Sequence, residues 1–205
     1  MNSRASLRCH LGGAVMLVMA SLPVHAATLT LQVKSTTGGA VEDAVVYLTS
    51  GKAARLAVQE PNAIIDQVNK EFVPLVSVVQ TGTRINFPNK DNIRHQVYSF
   101  SKAKKFEIKL YADTPSKPVL FDQPGYVTMG CNIHDNMIAH LLVVDTPYFA
   151  RTDRNGTARM AAVPPGDYTL TVWYYQRPDK DALEKPVSVK SDQTYTLDIP
   201  TRSTD

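Results

Sequence analysis

The sequence predicts an all-β chain built as two small β-sandwiches. Two observations carry this. Short alternating or apolar runs recur from residue 28 to residue 199, and Gly, Pro and Asn turn signals separate them. Many short strands with this punctuation mean sandwich or barrel architecture.

The runs follow in order. Residues 28–34 alternate, with Leu29, Leu31 and Val33 on one face. Thr36, Thr37, Gly38 and Gly39 form a turn, and 44–48 is a second apolar strand. A short helix is expected around 57–68, with Pro61 opposing it. Residues 72–79 and 83–87 read as strands joined by Gln80-Thr81-Gly82. Strands at 95–100, 106–111, 119–122, 126–129 and 141–145 come next. The last are 157–161, 168–174, 187–189 and 195–199. Asn155-Gly156 between alternating stretches predicts a hairpin.

The N-terminus has the layout of an export leader. Arg4 and Arg8 precede an apolar run from Leu11 to Ala20, Pro23 breaks it, and Val24-His25-Ala26 offers a cleavage site. The run is too short to span a bilayer. The expected processing removes residues 1–26, the expected destination is the periplasm, and the mature chain is expected to carry no transmembrane segment. Losing Arg4 and Arg8 lowers the formal net charge from +3 to +1. That balance gives no argument for nucleic acid or anionic lipid as a partner.

Cysteine usage is the sharpest compositional fact. The two cysteines are Cys9 and Cys131, and Cys9 leaves with the leader. A lone thiol in an oxidising compartment cannot form an internal disulfide, and needs burial or a metal bond to protect it.

The neighbours of Cys131 favour metal. Gly130-Cys131-Asn132-Ile133-His134-Asp135-Asn136-Met137 supplies a thiolate, an imidazole and a thioether at Cys-x2-His-x2-Met spacing. His95 opens a strand far upstream, and one end of a sandwich can bring both loops together. Two imidazoles, one thiolate and a weak axial thioether suit copper in both of its common oxidation states.

On these residues, 62–145 resemble a cupredoxin of the plastocyanin/amicyanin group. The matching stretches are Phe87-Pro88-Asn89-Lys90-Asp91, His95-Gln96-Val97-Tyr98-Ser99-Phe100-Ser101 and Gly130-Cys131-Asn132-Ile133-His134. The loop is similar to that of amicyanins, the copper carriers that serve methylamine dehydrogenase. The whole chain looks like exported proteins labelled methylamine utilization proteins. The resemblance implies a Greek-key sandwich over 56–147, with one copper ion held by His95, Cys131, His134 and Met137. It implies single-electron transfer with a redox-protein donor and acceptor, a monomer, and no enzymatic activity. Two positions depart from the pattern. Gln96 stands where blue-copper proteins usually have Asn, and Asp135 where many have Pro.

The flanking segments resemble a carboxypeptidase-regulatory-like, or prealbumin-like, β-sandwich. Its opening strands would be in 28–55 and its remainder in 148–200, so the copper unit would be an insertion.

Other residues have plainer readings. His140 is expected at a surface or strand edge. Lys102, Lys104, Lys105 and Lys109 form a docking patch or, more simply, a solvated edge that discourages pairing. Met129 and Met160 read as core, Trp173 as the core aromatic of the second sandwich, and Asp153 and Asp167 as turn residues. Two other function classes use the same residues. One is a copper chaperone or store. The other is an interaction module with a structural metal, although a thioether is a poor zinc ligand. A multicopper enzyme would need more histidines than His140 can supply, and no nucleophile–base pair, phosphate loop or HExxH motif is present.

Overall fold

The computed structural model describes residues 26–50, 58, 61–115, 117–177 and 182–201. The export leader expected over 1–26 lies almost wholly outside the described residues. All regular elements among the described residues are strands, and no described helix is long and apolar enough to cross a membrane.

Seven strands come from the two ends of the chain. They are β1 (Ala27–Ser35), β2 (Ala44–Thr49), β13 (Phe149–Arg151), β14 (Thr157–Val163), β15 (Gly166–Tyr174), β16 (Leu183–Val189) and β17 (Gln193–Ile199). They make one sheet of order β14-β1-β17 and another of order β13-β2-β15-β16. The alternation in β1 puts Leu29, Leu31 and Val33 inside, fully buried. They meet Ala44, Val46 and Leu48 of β2 and Leu170 and Val172 of β15 in one apolar core.

Ten strands lie between. They are β3 (Asn62–Ile64), β4 (Asp66–Val68), β5 (Glu71–Val73), β6 (Val76–Gln80), β7 (Thr83–Asn86), β8 (His95–Ser99), β9 (Phe106–Tyr111), β10 (Val119–Phe121), β11 (Gly125–Gly130) and β12 (Ile138–Val144). The large sheet has order β6-β12-β11-β8-β9, the smaller β10-β7-β3, and β4-β5 is a separate hairpin. A second core holds Ile85, Phe87, Val97, Phe121, Val127 and Met129.

β12 explains how the two halves meet. Ala139, Leu141 and Val143 face the second core, while Leu142 and Val144 face a third cluster with Val76 of β6, Val45 of β2 and Trp173 of β15. A strand buried on both faces reads as a continuous apolar run rather than an alternation. Two sandwiches therefore stand back to back, with the sheets containing β2 and β12 sharing this seam.

Several expectations are corrected. Residues 62–64 and 66–68 are the strands β3 and β4, not helix; residues 57, 59 and 60 lie outside the described residues. The expected strand 72–79 is split at Pro74, which has no N–H to give a ladder. The Asn155-Gly156 turn forms, with Gly156 N–H donating to Asp153 O at 2.8 Å. Yet β13 pairs with β2 and β14 with β1, so the turn joins two sheets instead of making a hairpin. Gly156 is required there. Its φ is +72°, and a Cβ would lie 2.4 Å from Val33 O. Trp173 belongs to the seam, not to the core of the outer sandwich. His140 is half-buried in that seam, where Tyr126 Oη lies 2.6 Å from its Nδ1 and Tyr175 packs at 4.8 Å between ring centroids.

Candidate metal centre

Two loops meet at one end of the inner sandwich. His95 is the first residue of β8 and is fully buried. The β8–β9 register shifts between His95 and Val97, an irregularity of the kind that re-aims side chains beside sites. Cys131 directly follows β11 and is buried. His134 lies in the tight connection between β11 and β12, where Met137 N–H donates to His134 O at 2.9 Å.

The donor atoms converge. Cys131 Sγ is 3.9 Å from His95 Nδ1. The ligating atoms of His95, Cys131 and His134 all lie within 4.8 Å of one another. The two imidazole centroids are 5.0 Å apart with planes at 63°. Nitrogen and sulfur held about 2.0 and 2.3 Å from one ion at open angles lie about 3.5–3.7 Å apart, so this cluster is close to the size a metal needs. His134 Nδ1 is buried and has no hydrogen-bond partner among the described residues. Leaving such an atom unpaired costs roughly 1–3 kcal/mol, and a metal bond removes that cost. Met137 is 1% exposed, belongs to the same buried cluster as Cys131, and lines the same open pocket. The residues present therefore fit a metal ion with nitrogen and sulfur donors.

Asp91, the last residue of the Phe87–Asp91 stretch, faces the far side of the His95 ring. Asp91 Oδ2 sits 2.7 Å from His95 Nε2. The carboxylate also accepts from the N–H groups of Asn69 at 2.6 Å and Lys70 at 2.8 Å. Desolvation pushes the Asp91 carboxyl up. The Lys70 N–H, the His95 ring and the Asn69 N–H outweigh it and hold the group below the usual carboxylate range.

Gln96 does not reach the cysteine loop. Its amide donates to Glu107 Oε1 at 2.6 Å, toward β9. Asn89 braces the His95 side of the site, donating to Ile93 O in its own loop at 2.8 Å and to Tyr111 O at the end of β9 at 3.1 Å. Gly130 clears space beside Cys131, since a Cβ there would lie 2.9 Å from Tyr98 Oη. Asp135 is exposed on the loop surface. Around it, Phe100 is 79%, Ile133 49% and Ile138 44% exposed. Lys102, Lys105 and Lys109 are exposed on or beside the edge strand β9, whereas Lys104 pairs with Asp122 at 3.0 Å.

Comparisons with known proteins are partial. A family model described as polysaccharide lyase family 4, domain II, matches residues 139–197, well under half of the chain. No curated protein sequence matches the chain. A copper-containing nitrite reductase from Thermus scotoductus SA-01 aligns at 20% identity and a TM-score of 0.38, over 47% of this chain and 25% of that one. This chain thus spans about a quarter of the nitrite reductase. A reduced amicyanin variant aligns at 15% identity and 0.37, over 48% of this chain and 97% of its own. A purple cupredoxin from Nitrosopumilus maritimus aligns at 19% identity and 0.35, over 41% and 99%.

Proposed function

We propose that this chain is an exported copper protein that carries single electrons between redox proteins. His95, Cys131 and His134 would hold one copper ion, and Met137 would be the fourth donor. The observation that carries the reading is the convergence of two imidazoles and one thiolate within 4.8 Å, with the His134 Nδ1 buried and unpartnered. Copper bound there would supply a one-electron couple between Cu(I) and Cu(II), which a soft thiolate and two imidazoles serve jointly.

The chain's own residues do the rest. The body of the sandwich buries Cys131 and His95. The partly exposed His134 offers the route out, and the exposed apolar side chains of Ile133 beside it and of Phe100 and Ile138, which share a pocket with Asp135 of the same loop, suit transient contact with a redox-protein partner. The role is carriage rather than catalysis. The periplasm is the expected compartment, reached through the leader at 1–26. The segments 28–55 and 148–200 read as one carboxypeptidase-regulatory-like sandwich interrupted by a copper unit at 56–147. Support for one sandwich built from both ends of the chain comes from β1 and β2 sharing their sheets with β13 to β17.

The test is copper loading followed by visible spectroscopy and voltammetry. One copper per chain, an intense thiolate-to-copper charge-transfer band and a reversible one-electron wave are expected. Bound copper without that band would overturn the reading. The band with sluggish electron exchange and fast copper release would favour a copper chaperone.

A further inference from the structure

The hairpin β4–β5 has no place in either large sheet. Its tip is Asn69-Lys70, and both residues have positive φ, 55° and 62°. A two-residue turn with both φ positive favours Asn and Gly, and Lys gains nothing from it. Such backbone persists where the surroundings over-determine it. Here the tip turns two successive N–H groups toward the Asp91 carboxylate, at 2.6 and 2.8 Å. The rest of the hairpin is stitched to the loop that carries Asp91. Gln67 N–H donates to Pro88 O at 3.0 Å, Lys90 N–H donates to Gln67 O at 2.9 Å, and Lys90 Nζ pairs with Asp66 at 2.7 Å. Asp91 N–H donates to Asn89 Oδ1 at 3.0 Å. Every bond around Asp91 restricts where its free acceptor capacity can point, and it points at His95 Nε2.

An ionised carboxylate only accepts hydrogen bonds. A neutral His95 facing it must therefore carry its proton on Nε2. That leaves the lone pair on Nδ1, the atom 3.9 Å from Cys131 Sγ. We propose that Asp91 is a positioning residue for the metal centre, held by the β4–β5 tip so that it fixes the His95 tautomer and strengthens Nδ1 as a donor. The copper part of this statement rests on the function proposed above; the tautomer part does not. A carboxylate beside a ligating imidazole raises its basicity and favours the more highly charged ion. Asp91→Asn keeps the size of the side chain and removes the charge. It is expected to lower Cu(II) affinity by on the order of 10–100-fold, the usual cost of losing such a partner, and to raise the reduction potential.

The experiment has two arms, both on the full processed chain with wild type, Asp91→Asn and Asp91→Ala. In the metal-free protein, long-range proton–nitrogen NMR reads the His95 tautomer. Wild type should show a single form protonated at Nε2, and Asp91→Ala a mixture. In the second arm, the reduction potential and Cu(II) affinity are measured, with thermal unfolding alongside. A residue that merely clips the loop would shift unfolding and leave tautomer and potential alone. Unchanged tautomer in both variants, with the potential of Asp91→Asn equal to wild type, overturns the proposal. If the chain binds no copper, the function above fails, and Co(II) replaces copper as the affinity probe. A tautomer change with weaker Co(II) binding would then still support the clamp, and neither change would overturn it.

Discussion

The two sandwiches of this molecule are built to similar plans and filled differently. The outer one closes on a core of Leu, Val, Ile, Ala and Met. Its buried polar residues are few: Ser35 and Thr152, and Thr171 at the seam side. The inner one buries Gln67, Asn89, His95, Gln96 and Ser99 as well as Cys131 and Met137. Buried polar groups cost stability unless each finds a partner. The inner sandwich also buries Gln80 and Thr83 beside the turn between β6 and β7, but its imidazole and sulfur donors are gathered at the end where the two loops meet. The contrast separates a part that is all packing from a part that gives up packing for chemistry.

Substitutions can break or sharpen this contrast. The largest effect is expected from Cys131→Ser. It should abolish the intense visible band of the copper-loaded protein, while the outer sandwich keeps its unfolding transition, as read by absorption and calorimetry. Leu31→Ala should do the reverse. It empties a fully buried site in the outer core, costs about 2–5 kcal/mol in denaturant unfolding, and leaves the visible band of the folded protein in place.

Met137→Leu comes next. The swap conserves volume and should cost less than about 1.5 kcal/mol, yet shift both the reduction potential and the band. An unchanged potential would remove Met137 from the donor set. The smallest effect concerns the seam. Desolvation lowers the His140 pKa, so the unfolded chain takes up its proton more readily than the folded one. Stability from this site is fully present above the unfolded value of about 6.5 and is lost as pH falls through the lowered folded value. Urea midpoints between pH 7.5 and pH 5 should decline in wild type and decline less in His140→Gln.

Much of this was readable before any fold was known. The strands of the outer core follow from strict alternation, as in β1. The donor loop was readable because three soft or borderline donors in seven residues have few other uses. What escaped the sequence depends on distant partners. β3, β4 and β13 have three residues each, too few for a period to register. Trp173 looked like core because nothing local says that β15 faces two layers. Asp91 was quoted within a motif, but its role needs Asn69 and Lys70, more than twenty residues upstream. Gln96 departs from the usual Asn, and its amide turns to Glu107 across the β8–β9 pair, a partner that only the fold supplies.

X-ray absorption at the copper edge tests the central claim most directly, on the oxidised and reduced protein at one copper per chain. The account predicts one short sulfur scatterer and two imidazole nitrogens in both states, with the sulfur contribution lost in Cys131→Ser. A copper shell of nitrogen and oxygen alone, unaltered by that substitution, would contradict it.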